Sequence, residues 1–195
     1  MAKLPYKGAD MTNKEKFIHN MHQARTAHIR WVNAIKLLVS GIDVDEKQIT
    51  LDATHSQFGL WYYNEAMLFS LGSSRLVLEE IENFLMELHD KYTKIYPIYY
   101  GSRKRNLLSE FLGGRSRASA HEIELSQRFY EEIIQLSDKL KHKLRIFEAQ
   151  LMSLSEEKFD ELSSFTQKEE LTSEAIEIET ASENEGAYHY GARGR

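Results

Sequence analysis

The chain has 195 residues, 42% of them hydrophobic and 28% charged, with a formal net charge of −5 and no cysteine. That length and balance suit a globular chain with one real core. The missing cysteine excludes disulfides, thiolate metal ligands and a cysteine nucleophile, and the net negative charge speaks against a nucleic-acid binder.

No apolar run approaches the ~18 residues of a membrane span. The start, Met1-Ala2-Lys3-Leu4-Pro5, lacks the apolar segment of a secretory signal, so the cytoplasm is the expected location. Only two prolines occur, Pro5 and Pro97, which leaves room for long helices.

Residues 1–11 read as a short arm. A first helix opens on a capping box, Thr12 with Glu15 three residues later. Phe17, Met21, Ala24, His28, Trp31, Ile35 and Leu38 then recur in steps of four and three, the seam of a helix that faces other helices. Gly41 stands where a helix ends on a left-handed residue. Residues 42–54 form a polar connector, and a shorter second helix is predicted over about 55–71, broken at Gly72-Ser73-Ser74.

A third helix runs from about Ser74 to about Tyr96, with Leu78, Ile81, Leu85, Leu88, Tyr92 and Ile95 on one face; Pro97 is expected to kink or end it. Residues 101–118 make a basic loop with Arg103, Lys104, Arg105, Arg115 and Arg117. It reads either as an acceptor for phosphate, an acidic partner or an anionic lipid, or as a solvated connector. Leu107–Leu112 could form one helical turn within it.

Ser119 and Glu122 make a second capping box for a fourth helix. Its seam is Ile123, Ser126, Tyr130, Ile133, Ser137, Leu140, Leu144, Phe147 and Leu151. Ser153 and Glu156 suit the start of a short extension to about Phe165, and the Glu-rich stretch from Gln167 onward reads as a disordered tail. The expected fold is therefore all-α: an antiparallel four-helix bundle over 12–152, a helical extension over 153–166 and an acidic tail over 167–195.

Two sets of residues could carry chemistry. His28 sits on a seam and points into the bundle, where it is either a core histidine satisfied by a hydrogen bond or a metal ligand. The run Leu51-Asp52-Ala53-Thr54-His55-Ser56-Gln57-Phe58-Gly59-Leu60-Trp61-Tyr62-Tyr63 places a glycine inside a helical stretch. That costs about 1 kcal/mol against alanine and suggests close approach of another helix or a bound group. His19, His22, His121 and His142 join no constellation. A di-iron centre is excluded by the absence of any Glu-x-x-His, and no Ser/His/Asp motif, P-loop or Gly-x-Gly-x-x-Gly appears, so no enzyme activity is expected.

Phe58-Gly59-Leu60-Trp61-Tyr62, with Asp52 a few residues before, resembles the Cys-x-[Leu/Phe]-Gly-x-Trp motif of the chemoreceptor zinc-binding domain family. His28-Ile29-Arg30-Trp31 is similar to that family's first-helix signature, a ligand histidine followed three residues later by tryptophan. His89 resembles the first histidine of its His-x-x-x-His pair. The likeness spans roughly residues 13–145.

The resemblance implies a zinc site of three histidines and one cysteine inside a homodimeric bundle, in a module that tunes chemoreceptor or diguanylate-cyclase output. In this chain the cysteine position is Ser56 and the second histidine of the pair is Thr93, and hydroxyls are poor zinc ligands. His28 and His89 remain. His55 could complete a site as a third imidazole, or Asp52 or Asp90 as a carboxylate; otherwise no metal is bound.

The expected function is that of a non-enzymatic sensory or adaptor module of bacterial signalling, with a degenerate zinc site and a protein partner. The alternative is a scaffolding subunit that kept the bundle and binds no metal.

Overall fold

The computed structural model describes residues 11–101 and 118–164, and the chain is all-α, with no strand among those residues. The expectations for the arm, the basic loop and the acidic tail lie outside the described residues. No helix among the described residues is long and apolar enough to cross a membrane.

Helix α1 spans Asn13–Val39 and starts on the expected capping box. The Thr12 hydroxyl accepts from the Glu15 N–H at 3.2 Å, and the Glu15 carboxylate accepts from the Thr12 N–H at 2.9 Å. Its end is set by Gly41 at φ +82°: the Ile42 N–H reaches the Leu37 carbonyl, and the Gly41 N–H reaches that of Leu38. Every residue of the predicted α1 seam is buried. The connector that follows buries Val44 and Ile49.

The second helix is shorter than its sequence suggests. Helix α2 covers only Gln57–Asn64, Glu65 leaves helical geometry at φ −124°, and single 3-10 turns at Ala66–Phe69 and Gly72–Ser74 carry the chain onward. Gly72 supplies the left-handed conformation, φ +87°, that the reversal needs.

Helix α3 spans Arg75–Tyr100 and passes through Pro97 instead of ending there. A proline at this position removes the hydrogen bond to the carbonyl of Thr93, and Thr93 is exposed, so water can take the freed acceptor. Helix α4 spans Ala120–Met152 from the Ser119–Glu122 capping box. Of its predicted seam only Ile123, 39% exposed, lies open to solvent, while Tyr130 is half-buried. The short helix α5 occupies 156–164 and is capped by Ser155, whose hydroxyl accepts from the Lys158 N–H at 3.2 Å, rather than by Ser153.

The helices meet along their seams. Between α3 and α4, Lys143 pairs with Glu80, Lys91 with Glu132 at 2.6 Å, and the Tyr99 hydroxyl meets that of Ser126 at 2.8 Å. Between α1 and α4, His22 meets Glu148 at 2.7 Å and His28 meets Ser137 at 2.8 Å. The exposed ion pairs contribute ~0–1 kcal/mol each, whereas each buried Leu, Ile or Phe contributes ~1.5–3 kcal/mol, so the apolar seams hold the molecule together.

One end of the core is an aromatic cluster of Phe17, Phe69, Phe147 and Phe159. Beside it the buried Lys14 donates to the carbonyls of Met152 at 3.2 Å and Leu154 at 2.6 Å, closing the carboxyl end of α4 with a cation. The candidate site lies further along the same core.

Candidate functional site

Three aromatic side chains from two helices form the centre of the site. His28 and Trp31, one turn apart on α1, stack with ring centroids 6.3 Å apart. Trp31 also stacks with His89 of α3 at 4.5 Å, with planes 28° apart. Phe58 of α2 touches His28 at 5.8 Å and Trp61 at 5.5 Å, and Tyr92 meets Trp31 edge-on at 5.5 Å. His28 and His89 are only 4% and 6% exposed, so each imidazole needs an internal partner.

Those partners come from places the sequence did not point to. His28 Nε2 shares a hydrogen bond with the Ser137 hydroxyl on α4. His89 Nδ1 donates to the Leu51 carbonyl at 2.9 Å, and Trp31 Nε1 donates to the Thr50 carbonyl at 3.0 Å. The connector between α1 and α2 is thus tied to the stack through two successive carbonyls. Ser137 is legible in hindsight as a small polar residue on the α4 seam, whereas backbone carbonyls leave no mark in a sequence.

Burial sets the protonation of both rings. Loss of solvent, then the neighbouring His89 and Lys141, push His28 down to about 4. Burial also lowers His89, opposed by its bond to Leu51 and by the nearby carboxylate of Asp52. Both imidazoles are neutral at pH 7.

The residues expected to complete a metal site lie elsewhere or are otherwise engaged. His55 is on the surface, its side chain 76% exposed, with Nδ1 held by Asp52 at 2.6 Å. Asp90 is exposed and pairs with Lys94 at 2.7 Å. Thr93 is exposed, and its hydroxyl donates back to the Asp90 carbonyl.

Ser56 is buried, but its hydroxyl is the N-cap of α2: it accepts from the Gly59 N–H at 2.9 Å and donates to the Ala53 carbonyl at 2.7 Å. That geometry also explains Gly59. A Cβ there would lie 2.0 Å from the Ala53 carbonyl oxygen, so the glycine makes room for its own preceding turn rather than for another helix or a bound group.

Among the described residues no three His, Asp or Glu side chains come together in a way that could hold a metal ion. Two imidazoles, each with one nitrogen already bonded, do not fit a closed four-ligand zinc centre. The site instead combines a neutral, stacked, hydrogen-bonded core with two buried donors, Trp61 Nε1 and the Tyr92 hydroxyl, that have no partner among the described residues. No family model matches this chain, and no curated protein or solved structure shows significant similarity to it.

Proposed function

We propose that this chain is a non-enzymatic sensory or adaptor module of bacterial signalling, akin to the chemoreceptor zinc-binding domains, that works in the cytoplasm by binding a protein partner and whose metal site is degenerate. The observation that carries the reading is the His28–Trp31–His89 stack. The two histidines expected as ligands, far apart in sequence, share one buried tryptophan. Phe58, from the motif that resembles the family's ligand-bearing segment, packs on His28.

An antiparallel four-helix bundle, with α2 in the place of the fourth helix, agrees with the cross-links. Residue numbers rise along α1 and α3 as their partners on α4 fall, from His22–Glu148 to His28–Ser137 and from Glu80–Lys143 to Lys91–Glu132. A second copy of the chain is one partner of the expected kind. The capping role of Ser56 and the exposure of Thr93 favour a second reading, a scaffolding subunit that has lost metal chemistry altogether.

Restoring one ligand tests the kinship. Ser56→Cys returns a thiolate to the position that the resemblance assigns to cysteine. We expect zinc affinity to rise by at least about tenfold over the natural chain, the low end of what a metal-site group contributes, and the gain to vanish when His28 is also replaced by Ala. No gain would mean that Ser56 is not in the ligand position, and the family reading would fall with it.

A further inference from the structure

The expected metal residue that the buried site leaves out has a geometry of its own. His55 is solvent-exposed, and its Nδ1 is bonded to Asp52 Oδ2 at 2.6 Å. Asp52 is itself fixed, because Oδ1 accepts from both the N–H and the hydroxyl of Thr54 at 2.8 Å. These hydrogen bonds hold its carboxyl down at about 2, so it is ionised at neutral pH.

An ionised carboxylate on Nδ1 fixes the proton there, directs the lone pair to Nε2 and stabilises positive charge that develops on the ring. Histidine nucleophiles use this arrangement. Nε2 lies on the far side of the ring from the carboxylate. Helix α2, capped at Ser56, begins two residues later, and its positive end favours an added anionic group nearby.

No other histidine of the described residues has a described carboxylate on Nδ1 with Nε2 left open; His22 carries the reverse arrangement, with its carboxylate on Nε2. His19 Nε2 is bonded to Gln23 at 2.8 Å and His22 Nε2 to Glu148 at 2.7 Å. His28 and His89 are buried. His121 and His142 are exposed, with no carboxylate of the described residues on either ring nitrogen.

We propose that His55 is a phosphoryl-acceptor site, taking a phosphoryl group on Nε2 from a phosphoramidate-type donor, such as the phosphohistidine of another protein. In the transfer the Nε2 lone pair attacks phosphorus, a new N–P bond forms, and the donor's N–P bond breaks. The leaving nitrogen keeps the electron pair and takes a proton from solvent, while the Nδ1 proton stays on the ring, shared with Asp52.

Thr50, Leu51 and Asp52 are consecutive, and their polar groups bind Trp31, His89 and His55 respectively. The state of His55 therefore adjoins the backbone that holds the buried stack. The proposal stands on the exposed pair alone and survives whether or not the buried site binds zinc.

The test uses the full chain with phosphoramidate itself as donor; ammonia is then the leaving group. Labelling of each histidine is followed by mass spectrometry under alkaline conditions, where phosphohistidine survives. We expect His55 to label at least about tenfold faster than His121 or His142, a threshold set below the ~10²–10⁴-fold that a positioned acid–base partner supplies. Asp52→Asn should remove that advantage while leaving the other two rates and the melting temperature unchanged. Equal rates at the three histidines, or a His55 rate untouched by Asp52→Asn, would overturn the assignment.

Discussion

Trp31 and Trp61 are equally buried, at 8% and 5% exposure, yet their indole nitrogens differ: Trp31 Nε1 donates to Thr50, while Trp61 Nε1 has no partner among the described residues. Replacing either by Phe removes similar volume, but only Trp31→Phe strips a carbonyl of its donor. We expect Trp31→Phe to be the more destabilising by about 1–3 kcal/mol in urea unfolding; a larger loss at Trp61 would show that its nitrogen is satisfied by ordered water.

His28 gives stability a pH dependence. Its pKa is about 4 in the fold against 6.5 as a free group, so below 6.5 the unfolded chain takes up a proton that the folded chain refuses. The stabilising contribution is full above pH 6.5, falls as pH drops towards about 4, and is flat below. Its ceiling is about 3 kcal/mol, and the lowered pKa of His89 acts in the same direction. Unfolding followed from pH 7 downward should show this slope, and His28→Gln should flatten it; an unchanged slope would place its origin elsewhere.

His28 and Trp31 were legible because a four-three seam says which residues turn inward. Ser137 as the partner of His28 was not, since a seam specifies a face and not the register between helices. Thr93 fails for a related reason: four residues advance the helix about 40° beyond a full circle, and His89 already lies at the edge of the buried face, beside the exposed Asp90.

At the level of elements, the capping boxes and the Gly41 stop were readable because each uses side chains or conformations specific to a helix end. The extent of α2 was not. Its motif looks helical throughout, but the chain leaves helical geometry at Glu65 and Tyr62 instead bonds the Leu78 carbonyl of α3 at 2.9 Å. The start of α2 rests on two residues. Gly59→Ala would drive a methyl group against the Ala53 carbonyl, and because backbone must move, a loss of about 1–3 kcal/mol or more is expected. Ser56→Ala removes the cap and should cost about 1 kcal/mol. Thermal melts of the two variants check both; a neutral Gly59→Ala would show that the turn before α2 adjusts freely.

For the whole molecule, the all-α class followed from helical periodicity and scarce proline, while the arrangement of helices needed cross-links that only folding brings together. The central claim is that His28 and His89 form a packed, hydrogen-bonded core rather than a complete zinc centre. Structural zinc sites contribute about 10–16 kcal/mol at neutral pH, which corresponds to binding far tighter than micromolar. Calorimetric titration of the full natural chain with zinc is the decisive measurement. We expect no stoichiometric site tighter than about 1 μM and no rise in melting temperature beyond what weak binding gives by mass action. Stoichiometric, sub-micromolar binding that disappears in both His28→Ala and His89→Ala would contradict it.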